Sequence, residues 1–209
     1  MYKKDIKLMA FVMSAMFWGS WAYANEVYVE QIGDNTNVTI LQDGNGNKID
    51  DGLGGNAYIG GDNNVVGISQ IGSNNTLNLS VNSLLGGMSI TSNVTGDDNN
   101  QVIQCGSSNS ASCNASTIIQ DITGNSNNVS TLMTGSGTYS SNVSVTGNYN
   151  NVTHTQSGAG AHTGTIIVNS SGTSSTPNIV NLTQSGINAK TATITTTNAS
   201  GNISVTQSD

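Results

Sequence analysis

The chain has 209 residues and a formal net charge of −7, yet only 8% of its residues are charged and 5% are aromatic. Beyond residue 24 there is no Trp, Phe or Arg, and Lys48 and Lys190 alone stand against eleven carboxylates. So few cations exclude a phosphate-neutralising nucleic-acid surface, and so few aromatics exclude an ordinary aromatic-rich core.

The first 24 residues, "MYKKDIKLMAFVMSAMFWGSWAYA", carry Lys3, Lys4 and Lys7, then an apolar run, then the small-x-small pattern Ala22-Tyr23-Ala24. That order predicts a bacterial-type secretory signal over 1–24, cleavage before Asn25, and a secreted or cell-surface product. The remainder, 25–209, reads as a single domain.

From Val27 onward, short segments alternate apolar and polar residues, the pattern of half-buried strands. They fall into two interleaved columns. The first holds Val27-Val29-Gln31, Ala57-Ile59, Leu77-Leu79-Val81, Val102-Gln104, Val129-Thr131-Met133, Val152-His154-Gln156, Val180-Leu182-Gln184 and Ile203-Val205-Gln207. The last residues of these segments are separated by 28, 22, 23, 29, 23, 28 and 23 positions. A base period near 23 with occasional insertions marks a repeat architecture.

The second column holds Val38-Ile40-Gln42, Val66-Ile68-Gln70, Ile90-Ser92-Val94, Ile118-Gln120-Ile122, Val143-Val145, Ile166-Val168-Ser170 and Ala192-Ile194-Thr196. Most segments lead into Gly/Asn turns such as "GDNTN" from Gly33, "GSNN" from Gly72 and "GDDNN" from Gly96. Gly tolerates positive φ, and Asn both tolerates the left-handed region and bonds its own backbone. The predicted fold is all-β: a solenoid of strand-turn-strand-turn coils, fifteen strands in about seven coils.

Stacked coils explain the recurring glutamines. A buried lone amide would be unsatisfied at roughly 1–3 kcal/mol, whereas identical amides stacked about 4.8 Å apart bond one another. The expected ladder residues are Gln31, Gln42, Gln70, Gln104, Gln156, Gln184 and Gln207, with Gln104, Gln156, Gln184 and Gln207 in one column.

The segment "QIGDNTNVTILQDGNGN" resembles the curlin repeat, in which Q-x-G-x-x-N is followed by a second Gln eleven residues after the first. Gln42 and Asn47 match its second half. "SQIGSNNTLNLSV" matches the first half through Gln70, Gly72 and Asn75, with Val81 in place of the second Gln. The resemblance implies a subunit of a curli-type functional amyloid, a surface fibre of biofilm matrix and adhesion that joins end to end. Its implied partners are further copies of itself, a curli nucleator and the secretion machinery. Two departures stand out: Val27 opens a repeat almost directly after Ala24, with no targeting segment between, and the later repeats lose one Gln to Val, Ile, Ser or Thr.

Other constellations are sparse. Cys105 and Cys113 bracket "GSSNSAS" where the spacing is longest, and are expected to staple an inserted loop in an oxidising compartment. His154 occupies an inward position equivalent to Val29 and Leu182, whereas His162 is expected in a loop. Asp50-Asp51 and Asp97-Asp98 read as solvated turn charges, since the regular nonapeptide calcium repeat is missing. No "GxSxG" elbow occurs. No enzyme activity, cofactor or metal is expected. The alternatives to a fibre subunit are a monomeric solenoid adhesin or surface-layer protein, which would cap its ends, and an ice-binding solenoid, for which "TATITTTN" supplies outward Thr only locally.

Overall fold

The computed structural model describes residues 24–53, 55–83, 87–106, 113–198 and 201–209. The expected signal segment lies outside them apart from Ala24, as does the tip of the loop between the cysteines. The described chain forms two parallel sheets stacked as a β-solenoid of about seven turns, with a spacing of about 24 residues.

One sheet contains β1 (Glu26–Val27), β2 (Val29–Ile32), β4 (Lys48–Asp50), β5 (Ala57–Gly60), β7 (Thr76–Asn82), β9 (Asn100–Cys105), β11 (Asn128–Thr134), β13 (Asn150–Gly158), β15 (Asn178–Gly186) and β17 (Asn202–Gln207). The other contains β3 (Asn37–Asp43), β6 (Val65–Ile71), β8 (Ser89–Thr95), β10 (Thr117–Thr123), β12 (Tyr139–Thr146), β14 (His162–Asn169) and β16 (Lys190–Thr197). The chain alternates between the sheets. Every pairing is parallel and in register, so Val152 lies beside Val180 and Val180 beside Ile203.

Two rungs are broken. β1 and β2 form one level interrupted at Tyr28. β4 and β5 both pair with β7, through Asp50 beside Asn78 and Tyr58 beside Ser80, so the insertion between Asp50 and Ala57 opens opposite Leu79. The fifteen expected strands therefore appear as seventeen segments.

Alternation decides which side chains enter the space between the sheets. Leu77, Leu79 and Val81 of β7, like Ile118 of β10, have no more than trace exposure, and inward aliphatics of the middle coils such as Ile90, Val129, Val143 and Val152 are buried in the same way. Because a coil has only two walls, its core is one side chain deep from each sheet. Branched aliphatics fill most of that slot, and Tyr139 is the one fully buried tyrosine among the described residues.

The turns work as expected at their glycines. Gly72, Gly96 and Gly124 have φ of 119°, 130° and 126°. A Cβ added at any of them would run into the carbonyl of the next glycine in the stack, so the column requires Gly for space as well as for φ. Two residues on, Asn74, Asp98 and Ser126 take the left-handed conformation at φ near 57°.

One strand runs in the opposite frame from that expected. In β9 it is Gln101, Ile103 and Cys105 that point inward and are buried, while Gln104 is exposed and Val102 is half-buried. The turn "GDDN" sets this frame. It ends at Asn99, which must enter the interior beside Asn75 and Asn127, and alternate residues counted from Asn99 are 101, 103 and 105. The Val-x-Gln likeness of 102–104 was the weaker signal. His162 is a second correction: it opens β14 instead of lying in a loop, and it is buried against Tyr139 with ring centroids 5.9 Å apart.

Candidate assembly site

The most continuous polar feature of the interior is an asparagine ladder. Asn47, Asn75, Asn99, Asn127, Asn150 and Asn178 each occupy the first inward position after a turn, and all are buried. The Oδ1 of Asn75 accepts both the backbone N–H and the side-chain Nδ2–H of Asn99, at 3.1 and 3.0 Å. Asn99 does the same for Asn127 at 3.0 and 3.1 Å, and Asn127 for Asn150 at 3.0 and 2.9 Å. The second Nδ2 hydrogen goes to a turn carbonyl, as from Asn99 to Gly124 at 2.8 Å. Asn25 begins the series by accepting the N–H of Asn47 at 3.0 Å.

Sequence reasoning assigned these asparagines to turn geometry alone. The signal was present in the Asn of "GSNN" and "GDDNN" that directly follows the left-handed turn residue. In "GSNN" the first Asn takes the left-handed turn position, and the second goes inside.

The glutamines form two shorter ladders. Gln42 donates from Nε2 to Oε1 of Gln70 at 2.7 Å. Gln156 donates to Gln184, and Gln184 to Gln207, each at 2.9 Å. Their remaining Nε2 hydrogens reach carbonyls of the facing sheet, Ser140 from Gln156 at 3.1 Å and Thr163 from Gln184 at 3.0 Å. Each amide thus has a partner in its own sheet and one across the coil, which offsets most of the desolvation cost of burying it; the Oε1 of Gln156, at the start of its ladder, is buried without a partner. The rungs all donate toward the C-terminal end, whereas the asparagine ladder donates toward the N-terminal end.

Two of the seven expected ladder glutamines are not rungs. Gln104 faces outward, and Gln31 lies in register with Ile59, which has no amide to offer. Gln120 is inward and buried as expected, but its register neighbours are Ser92 and Val143.

At the solenoid ends the same columns change character. Val27 and Val29 of the first rung, Val38 and Ile40 of β3, and Ile203 and Val205 of β17 are all half-buried, although their equivalents in the middle coils are closed to solvent. Val66, Ile68, Val180 and Leu182, one coil further in, are buried. Among the described residues nothing covers the outer edges of β2, β3, β16 or β17, which leaves a row of backbone donors and acceptors at each end.

The remaining candidates have structural roles. Cys105 and Cys113 are bonded to each other and buried in the core, so the bridge closes the longest loop from inside. Asp50 is nearly buried and bonds Lys48 at 2.7 Å and the N–H of Gly52 at 2.8 Å, which corrects the expectation of a solvated charge. Asp97 accepts the N–H of Ser73 at 2.8 Å. His154 is fully enclosed, its Nδ1 2.7 Å from the Ser141 hydroxyl, and Gly164 on the facing strand leaves room for the ring. Burial lowers its pKa to about 4, against a smaller opposing effect of Gln184, so the ring is neutral at neutral pH. Among the described residues no group of three or more His, Cys, Asp or Glu could hold a metal ion, and no helix is long and apolar enough to cross a membrane.

Comparison with protein-family models, with curated proteins and with solved structures gives no match.

Proposed function

We propose that this chain is a secreted structural subunit, without enzymatic activity, that polymerises end to end into a curli-like amyloid fibre at the bacterial surface. The observation that carries the reading is the half-buried state of Val27, Val29, Val38 and Ile40 at one end and of Ile203 and Val205 at the other. Among the described residues each is the last member of a column whose interior members are closed. Adding a second copy to an end would bury these side chains and pair the open strand edges at once, which is strand addition driven by backbone bonds with side-chain columns setting register. The curlin resemblance of "QIGDNTNVTILQDGNGN" supports the same reading, and with it the roles in biofilm matrix and adhesion and the proposed partners, a nucleator and export machinery.

Purified protein incubated with an amyloid dye and viewed by electron microscopy tests the proposal. Unbranched, dye-binding fibres with a meridional reflection at about 4.7–4.8 Å are expected. Protein that stays monomeric at every concentration and pH tried overturns it in favour of a monomeric solenoid adhesin.

A further inference from the structure

The two sheets do not hold the same number of levels. With β1 and β2 taken as one broken rung, and β4 and β5 as another, the first sheet has eight levels and the second seven. Among the described residues the last coil is therefore unfinished. β17 pairs with β15 on one side, but no described strand faces it at its own height. The side chains show the overhang: Ala192 and Ile194 of β16 are buried beneath β17, while Ile203 and Val205 of β17 are half-buried.

A second copy could add to this end in two ways. In a straight join its first sheet continues the first sheet, so that β1 and β2 stack on β17. The next available level for its β3 is then two above β16, and one rung of the second sheet stays empty. That vacancy would orphan a strand's length of buried backbone groups on both sides, at roughly 1–3 kcal/mol for each group. In a half-turn join the incoming copy is rotated about the solenoid axis so that β1 and β2 stack on β16 and β3 stacks on β17. The spiral then continues without a gap.

We infer that consecutive copies join with this half-turn, an inference that rests on the fibre reading above. Rotation preserves strand direction and inward faces, because the chain runs oppositely along the two walls of a coil. It also preserves spacing. Gln31 and Gln42 of the first coil, and Thr196 and Gln207 of the last, are each eleven residues apart, so half-coils are interchangeable at both ends. Both turns of the first coil have the same form, with positive φ at Gly33 and Asn35 in one and at Gly44 and Gly46 in the other.

The side chains favour the same join. Half-turn stacking sets Ile203 on Val38, Val205 on Ile40 and Gln207 on Gln42. The polarity fits: Gln207 has spent one Nε2 hydrogen on the Thr191 carbonyl at 3.2 Å, and Gln42 uses its Nε2 for Gln70, leaving its Oε1 to accept. The two separate glutamine ladders would become one, running Gln156, Gln184, Gln207, then Gln42 and Gln70 of the next copy. A straight join would instead set Gln207 on Gln31 and stop the ladder at Ile59. The result is a head-to-tail interface that does not close, the geometry of a filament.

Cysteine pairs on the outer face separate the two joins. Thr206, Leu41 and Glu30 all point outward. The half-turn places Thr206 beside Leu41 of the next copy, and the straight join places it beside Glu30. Neighbouring residues of in-register parallel strands are about 4.8 Å apart, within the Cα separation a disulfide spans. Within one copy these positions lie at opposite ends, and the native cysteine pair is buried and bonded. Fibres of Thr206→Cys/Leu41→Cys are expected to oxidise to covalent multimers on non-reducing gels, while fibres of Thr206→Cys/Glu30→Cys release monomers. The reverse result, or cross-linking in neither, overturns the half-turn join while leaving the fibre reading intact. Where a double variant forms no fibres, helical reconstruction of wild-type fibres decides: a subunit rotation near half a turn beyond the solenoid's own twist supports the join, and a rotation near zero overturns it. Absence of wild-type fibres overturns the function and the join together.

Discussion

Gln156 and Gln184 stand 28 positions apart in the chain and 2.9 Å apart at their amides, the Nε2 of the first donating to the Oε1 of the second. The distance in sequence is one coil plus an insertion; the distance in space is one strand spacing. A buried amide that would be costly alone becomes neutral or favourable when the next coil repeats it. The same relation makes the solenoid's ends different from its middle, because the last amide of each ladder has a neighbour on one side only.

That asymmetry gives the most direct test of register. Val205 points into the interior of the last rung and Ser204 points out to solvent. Val205→Asp should bring a carboxylate into the stack with no basic partner, a burden no dry interface tolerates. Ser204→Asp keeps its charge in water. Fibre growth followed by dye fluorescence should therefore be slowed severely or abolished by Val205→Asp and nearly preserved by Ser204→Asp. Equal growth of the two variants would contradict the inward assignment of Val205.

The asparagine ladder predicts a sharp contrast between adjacent residues. Asn99 accepts two bonds from Asn127 inside the coil, whereas Asn100 bonds Asn128 on the exposed face at 3.0 Å. Asn99→Ala should orphan two buried donors at roughly 1–3 kcal/mol each. Asn100→Ala should cost well under half as much. Denaturant melts read by circular dichroism compare them, and equal midpoints would show that the ladder does not hold the coil.

How much of this was legible in the sequence follows from what period-2 alternation can carry. It located the strands, the number of coils and the inward aliphatics, because Val, Ile and Leu in alternate positions have one physical reading. It failed in β9, where "NQVIQC" alternates acceptably in either frame. Only the position of Asn99 relative to its turn chooses between them, and that information lies outside the strand. Gln31 misled for a related reason. Its place in a motif marked it as a rung, but a rung is a property of two coils, and the residue one coil on is Ile59. The asparagine ladder went unread because Asn is equally expected in turns, and Asn74, beside the ladder residue Asn75, has that very role.

The buried imidazole of His154 predicts a pH dependence. Its folded pKa is lowered to about 4 by burial, below the ordinary histidine value of 6.5. The unfolded chain therefore binds a proton that the folded chain refuses between those values. Stability from this group is fully present above about pH 6.5 and declines as pH falls toward 4, by about 3 kcal/mol in all. In His154→Leu, which copies Leu182 of the next coil, that slope should vanish whatever the variant's absolute stability. Denaturant midpoints measured from pH 7 to pH 4 check it; an unchanged slope in His154→Leu would assign the dependence elsewhere.

The glycine stack makes the last prediction. Gly96 adopts φ of 130°, and a Cβ there would collide with the carbonyl of Gly124, which belongs to the next turn of the stack. Gly96→Ala therefore meets two costs that do not relieve each other. The backbone conformation alone costs about 1–3 kcal/mol for a residue with a side chain. Relaxing it by rotating φ would withdraw the N–H of Gly96 from the Ile71 carbonyl, 2.9 Å away, and break the turn-to-turn bond. Gly67 gives the comparison: it lies within β6, its φ is not in the positive range, and an added Cβ would touch nothing closer than 4.0 Å. Gly67→Ala should be neutral or stabilising by about 0.4–1 kcal/mol through the unfolded state, while Gly96→Ala should lower the denaturant midpoint markedly. Because the coils are coupled only to their neighbours, amide exchange in Gly96→Ala should accelerate first in the turns at Gly72 and Gly124 and least at the two ends. Uniform acceleration along the solenoid would mean that the stack does not transmit the defect locally.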